Sequence, residues 1–130
     1  MCDKINSLYD LWCLKATDPA IARELESVKG DDAAVEDRFY KELDFGTAGL
    51  RGVIGAGTNR MNIYTVGRAT QGFADYINST YKTPSVAIAY DSRINSDLFS
   101  RTAACVFAAK SKILCRNKFV STNHNHYKRF

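Results

Sequence analysis

The residues best suited to chemistry lie in one stretch, Phe45-Gly46-Thr47-Ala48-Gly49-Leu50-Arg51-Gly52-Val53-Ile54-Gly55-Ala56-Gly57-Thr58-Asn59-Arg60. Five of the chain's 8 glycines fall in these sixteen residues, together with two arginines and two threonines. Glycine costs conformational entropy, so a cluster of it makes sense where backbone takes unusual angles or approaches a ligand closely. Bare N–H groups beside a guanidinium are what an anionic oxygen cluster such as phosphate needs. The competing reading is a tight strand–turn–strand corner that holds no ligand. Two common nucleotide patterns fail here on specific residues. The P-loop pattern GxxxxGK[ST] can be laid on Gly52 to Gly57, but Thr58 stands where its phosphate-binding lysine must be. The dinucleotide pattern GxGxxG can start at Gly55, but Arg60 occupies the third glycine position and no βαβ unit begins before it.

Helices must precede this stretch and α/β units must follow it. Ile5, Leu8, Leu11 and Trp12 recur at helical spacing over residues 5–16. Asp18-Pro19 reads as an N-cap with proline in the first turn of a second helix, which Gly30 closes. Asp31 or Asp32 then caps a third helix through Val35, Phe39 and Leu43. Residues 50–54 suit a short strand leaving the glycine turn. Asn62 caps a helix reaching about residue 80, with Ile63, Val66, Phe73 and Ile77 and the small Ala69 and Ala74 on its buried stripe. Ser85 to Tyr90 reads as a buried strand ended by Asp91-Ser92-Arg93, and Asn95 or Ser96 caps a helix to about residue 109. Leu98, Phe99, Thr102, Ala103 and Val106 are expected on that helix's sheet-facing side. Strand, polar loop and helix form the α/β unit, and open α/β sheets hold ligands just past the strand ends. Lys112 to Cys115 and Phe119-Val120 are short strand fragments. Residues 121–130 lack apolar periodicity and read as a disordered tail.

Composition bounds the rest. The 130 residues, 45% hydrophobic and 25% charged, are one domain's worth of an ordinary globular chain. No apolar run approaches the length of a membrane helix, and the N-terminus has no signal peptide, so a cytoplasmic address is expected. Cys2, Cys13, Cys105 and Cys115 have neither CxxC pairing nor matched histidine spacing, which favours reduced structural thiols over zinc or disulfides. Residues 1–44 carry 6 basic and 11 acidic side chains, residues 45–109 carry 6 and 3, and the last 21 carry 6 basic and none acidic. Basic excess confined to one tail argues against nucleic acid as the partner.

A longer pattern is more particular than either nucleotide motif. Glu42-Leu43-Asp44-Phe45-Gly46-Thr47-Ala48-Gly49-Leu50-Arg51-Gly52 closely resembles the opening signature of the α-D-phosphohexomutases, the phosphoglucomutase/phosphomannomutase family. The resemblance continues through Gly57-Thr58-Asn59-Arg60-Met61-Asn62, the helix from Val66 to Ile77, and Val86 to Arg93, and spans about residues 1–109. It implies an α/β fold: an incomplete α/β/α sandwich with a mixed sheet, preceded by a helical lead-in. The implied organisation is a helical extension over 1–44, a partial domain I over 45–109 and a divergent basic tail over 110–130. The resemblance also implies phosphoryl transfer between positions of a hexose phosphate, through a phosphoserine and a hexose bisphosphate, with Mg²⁺ in the full-length enzyme. Arg51 matches the family arginine that contacts phosphate, a role suited to bidentate guanidinium donors. Thr47 and the backbone around Gly49 would shape the pocket beside it. Arg93 would line the same side, or else pair with Asp91 or Asp97.

The resemblance has limits. The family's Thr-x-Ser-His-Asn-Pro nucleophile loop does not occur in this sequence, which ends 37 residues after Arg93. Ser121-Thr122-Asn123-His124-Asn125 echoes it in the wrong order and without the proline, so Ser121 is rejected as nucleophile and no catalytic residue is assigned. The Asp-x-Asp-x-Asp metal loop is also missing, and Asp91 and Asp97 do not replace it, so no metal ligand is assigned. A reading-frame shift or early end of a longer gene would explain the abrupt change after Ala109. The expected product is a fragment inactive by itself. The alternative is a non-catalytic phosphosugar-binding or interaction module that uses the Arg51 pocket.

Overall fold

Short side chains that accept backbone hydrogen bonds start the second and third helices where the sequence places them, whereas Asn95, at the start of the helix over 96–109, makes no side-chain capping bond. In the computed structural model, which describes residues 3–47, 49–110 and, for backbone, 114–119, α1 runs Asp3–Lys15, α2 Pro19–Ser27 and α3 Asp32–Phe39. Asp18 Oδ1 accepts from Ala20 N at 2.9 Å and Ile21 N at 3.0 Å, and Pro19 supplies the first helical residue, whose N–H would be orphaned anyway. Asp31 Oδ1 caps α3 through Ala34 N at 3.0 Å, and Gly30, at φ +85°, takes the left-handed turn between the two helices.

The chain forms two compact units, Met1–Thr65 and Val66–Phe130. In the first, Ile21, Leu25 and Val28 meet Val35, Phe39 and Ala56 in a buried core. Leu25 is only 1% exposed, and burying a side chain of that size is worth about 1.5–3 kcal/mol. From α1, Ile5, Leu8, Tyr9 and Trp12 pack onto this core, and Trp12 meets Phe39 and Tyr64 edge to face at 5.6 and 5.4 Å. Leu11, expected on that face, is 49% exposed, because each residue turns the helix by about 100° and the stripe through 5, 8, 9 and 12 leaves it aside. Leu43 lies beyond the end of α3 and is half-buried.

The strand expected over 50–54 is mostly loop. Phe45–Gly46 (β1) pairs antiparallel with Gly49–Leu50 (β2), residues 51–53 are irregular, and Ile54 makes a single bridge to Met61. Residues 53–55 find their partners across the loop instead: Met61 N donates to Val53 O at 2.8 Å and Gly55 N to Met61 O at 3.1 Å. Helix α4, Ile63–Thr80, follows as expected after Asn62.

In the second unit, β3 (Ser85–Tyr90), α5 (Ser96–Ala109) and β4 (Leu114–Phe119) form a βαβ unit, with β3 parallel to β4 from Ser85↔Leu114 to Tyr90↔Phe119. Ala74, Ile77 and Phe107 are its buried core, against which Val86, Ile88 and Ala103 pack. β3 is not buried on both faces. Val86, Ile88 and Tyr90 are half-buried, while Ser85, Ala87 and Ala89 are exposed, as when helices cover one face only. Phe73 is 52% exposed and meets Phe107 of the core edge to face. On α5 the buried side chains are Ser100 and Phe107; Leu98 is exposed. β4 joins the two strand fragments expected near 112–120 into one strand, while Lys112, Ile113, Val120 and the tail over 121–130 lie outside the described residues. The fold is an incomplete α/β/α domain preceded by helices. Its antiparallel and parallel pairings lie in two separate two-stranded sheets.

Candidate functional site

The glycine-rich turn is anchored from below by three side chains. Asn62, 3% exposed, donates through Nδ2 to Gly55 O at 2.8 Å and Gly57 O at 3.0 Å. Its Oδ1 accepts from Tyr64 N and Thr65 N, both at 3.0 Å, so one amide closes the turn and caps α4. Thr65 Oγ1 completes the knot by donating to Arg60 O at 2.8 Å. Glu24, from α2, accepts from Ala56 N at 2.9 Å and from Arg38 Nη2 at 3.2 Å.

The same turn caps the end of α3, whose last carbonyls would otherwise be orphaned. Asn59 N donates to Arg38 O at 2.9 Å, Asn59 Nδ2 to Asp37 O at 3.2 Å, and Thr58 Oγ1 to Lys41 O at 2.7 Å. Arg60 is buried and ion-paired to Asp37. Gly57, at φ +126°, comes so close to Arg38 that an added Cβ would stand 2.6 Å from its carbonyl oxygen. The backbone donors of Gly55, Ala56 and Asn59 are therefore spent on the fold, and the glycines at 55 and 57 serve close packing rather than a ligand cradle.

What remains available is Arg51, which is exposed and makes no hydrogen bond or ion pair among the described residues. It lines a cleft of about 330 Å³, near the lower end of the range for small-molecule sites. Lys41, Arg60, Asp37 and Asp44 share the lining, with Tyr40 and Asn59 beside them. Arg60 is matched by Asp37, and Lys41 by Asp44 at 2.8 Å, so Arg51 carries the cleft's uncompensated positive charge. The hydrogen bond that Lys41 donates to the Asp44 carboxylate, together with that carboxylate's charge, raises the Lys41 pKa and keeps the ammonium protonated. A guanidinium with free donors in a small cationic cleft can take two oxygens of an oxyanion at once.

The other expected site residues take other places. Thr47 is exposed at the turn of the β1–β2 hairpin, and Gly49, at φ +93°, occupies a backbone conformation that favours glycine. Both stand in the hairpin leading to Arg51. Arg93 belongs to the second unit, where its Nε pairs with Asp91 at 2.9 Å, one of the two partners the sequence offered; Asp97 faces Arg101 at 3.8 Å instead. The Arg93 backbone N–H, at 3.1 Å, is the main cause that lowers the Asp91 pKa, with Ser96 and the guanidinium adding to it. Sequence reasoning missed Lys41 and Asp37 as cleft residues and Glu24 as an anchor. Each reads as an ordinary charged position on a helix or just after one, with nothing in the spacing to single it out. Among the described residues, no group of three or more His, Cys, Asp or Glu side chains is gathered to hold a metal ion. Nor is any helix among them long and apolar enough to cross a membrane.

The first unit, a helical lead-in with a locked glycine turn, presents a small cationic cleft, and the second holds a βαβ unit. The family model described as phosphoglucomutase/phosphomannomutase, alpha/beta/alpha domain I, matches residues 42–127, and the chain belongs to that family. It is 37% identical over 111 residues to a protein of Schizosaccharomyces pombe named probable phosphoribomutase, covering 82% of this chain and 19% of that one. It is 35% identical over 99 residues to a phosphoglucomutase of Staphylococcus aureus strain bovine RF122 / ET3-1, covering 76% of this chain and 18% of that one. The chain thus spans about a fifth of the length of these curated relatives. No solved structure matches it.

Proposed function

We propose that the chain is the domain I portion of a phosphoglucomutase/phosphomannomutase-type intramolecular phosphotransferase, acting on hexose phosphates through a hexose bisphosphate in carbohydrate metabolism. The carrying observation is Arg51, an exposed arginine without a described partner, in a cationic cleft and inside the family's domain I match. Its bidentate donors would hold a phosphoryl group and offset the charge that builds up in transfer. Thr47 and Gly49 would set the hairpin beside it, and Arg93 would exchange Asp91 for phosphate. Mg²⁺ would act in the complete enzyme on ligands other than these residues. Residues 1–44, 45–109 and 110–130 serve in this reading as helical extension, partial domain I and basic tail. The free thiols of Cys13 and Cys105, both exposed, suit a reducing, cytoplasmic compartment. Neither nucleic acid nor membrane is a partner in this reading. By itself the 130-residue chain is inactive, because its sequence encodes no Thr-x-Ser-His-Asn-Pro loop.

Calorimetry with glucose 1,6-bisphosphate tests the pocket: weak binding is expected, and Arg51→Gln should abolish it. Binding unchanged in Arg51→Gln would refute the assignment, and tight binding by the chain alone would favour a non-catalytic phosphosugar-binding module. A coupled assay from glucose 1-phosphate to glucose 6-phosphate, with Mg²⁺ and bisphosphate present, should show no turnover. Turnover that Ser121→Ala removes would restore that serine as nucleophile. The relative named probable phosphoribomutase favours a second reading, a pentose phosphate substrate. Preference for ribose 1,5-bisphosphate over glucose 1,6-bisphosphate in the same titration would select it.

A further inference from the structure

The cleft holds a second cation whose partner can be exchanged. Resting on the reading of Arg51 as a phosphate contact, we propose that Lys41 is a second phosphate-binding residue, released from Asp44 when an anion enters. Three cations line the cleft, and each has a different commitment. Arg60 is buried, paired with Asp37, and also donates to Asn59 O at 3.0 Å, so it is fixed as part of the α3 cap. Arg51 has no described partner. Lys41 has an ion pair with Asp44 at 2.8 Å, but both side chains are exposed, at 43% and 79%. Water screens an exposed pair three residues apart, and holding two flexible side chains together costs entropy, so the pair is easily broken.

A phosphate monoester near neutral pH carries close to two negative charges, and Arg51 supplies one positive charge. Lys41 is positioned to supply the other without rearranging its backbone. Its carbonyl is held by Thr58 Oγ1 at 2.7 Å, and Leu43 N donates to Thr58 O at 2.9 Å, which fixes the segment to the glycine turn. The ammonium lies 5.7 Å from the Tyr40 ring centroid, so it stays at the cleft wall. Asp44 then acts as an internal competitor that occupies the lysine while the cleft is empty.

The test is NMR titration of the 130-residue chain with inorganic phosphate and with glucose 1,6-bisphosphate, following residues around the cleft. Lys41→Gln should weaken binding about tenfold, the loss of one charge-assisted contact, and Lys41→Arg should restore most of it. Asp44→Asn should tighten binding, because the competitor is gone; a lysine that only braced the loop would give weaker or unchanged binding in this variant. Arg51→Gln separates the two claims. If Arg51→Gln abolishes binding while Lys41→Gln stays within twofold of wild type, or if Asp44→Asn fails to tighten it, the Lys41 proposal is wrong and the Arg51 reading stands. Binding indifferent to Arg51→Gln overturns both, as does no binding by the folded wild-type chain.

Discussion

Gly57→Ala gives the sharpest test of how the glycine turn is built. Gly57 sits at φ +126°, where an L residue is strained, and its new Cβ would stand 2.6 Å from Arg38 O and 2.8 Å from Arg38 Cβ. The backbone strain alone is worth about 1–3 kcal/mol. The contact adds about 1–3 kcal/mol, because the atoms met are the carbonyl and Cβ at the end of α3 rather than the tip of a flexible side chain. Arg38 O cannot retreat freely, since it also accepts from Asn59 N at 2.9 Å. The expected loss is about 2–6 kcal/mol, against roughly 3–10 kcal/mol of stability for a unit of this size. Urea unfolding followed by tryptophan fluorescence isolates the right unit, because Trp12 is the chain's only tryptophan and packs against Phe39 and Tyr64. Gly49→Ala is the matched control: φ is +93°, but the added Cβ meets no described atom within 4 Å, so it carries the strain without the clash. Gly57→Ala should cost clearly more than Gly49→Ala. Equal costs would show that the turn yields around Arg38, and the close-packing account of Gly57 would fall.

Asn62→Ala should destabilise the first unit by about 2–4 kcal/mol, since it removes an N-cap and leaves two buried carbonyls without their donor. Urea unfolding should show this loss, and a cost below about 0.5 kcal/mol would mean that water replaces the amide. Burial, and then the hydrogen bond and charge of Cys13, push the Tyr9 hydroxyl up to about 12 from 10.0. The folded chain therefore keeps this proton where the unfolded chain has lost it, so stability is full below pH 10 and declines as pH rises towards 12. Ultraviolet titration of the tyrosines should lose a late component in Tyr9→Phe, and the fall in stability across that window should become shallower.

Much of this was legible from the chain because it is local. Asp18, Asp31 and Asn62 are read as caps since each accepts from a backbone N–H two or three residues away, well within the reach of its own turn. The order of helices, the strand–loop–helix unit over 85–109 and the Glu42 to Gly52 signature need no more than neighbours in sequence. The strand over 50–54 was misread because a strand is defined by its partner. Val53 and Ile54 have β-branched side chains, but Val53 is 67% exposed and the segment's bonds go to Met61. Burial along α4 and β3 was misread for a related reason: Phe73 and Ala89 are apolar, yet whether either is covered depends on what lies opposite.

The site divides along the same line. Sequence by itself determined that Arg51 sits in a glycine-rich signature and that this signature lacks the lysine of a P-loop. Only the tertiary structure decided what the glycines are for. Glu24 lies 32 residues from Ala56 and Asp37 lies 23 from Arg60, and no local pattern couples residues that far apart. The first takes up the Ala56 N–H that looked free for phosphate, and the second matches Asp37 with Arg60, while Asp44 pairs locally with Lys41. What they leave over is the charge on Arg51.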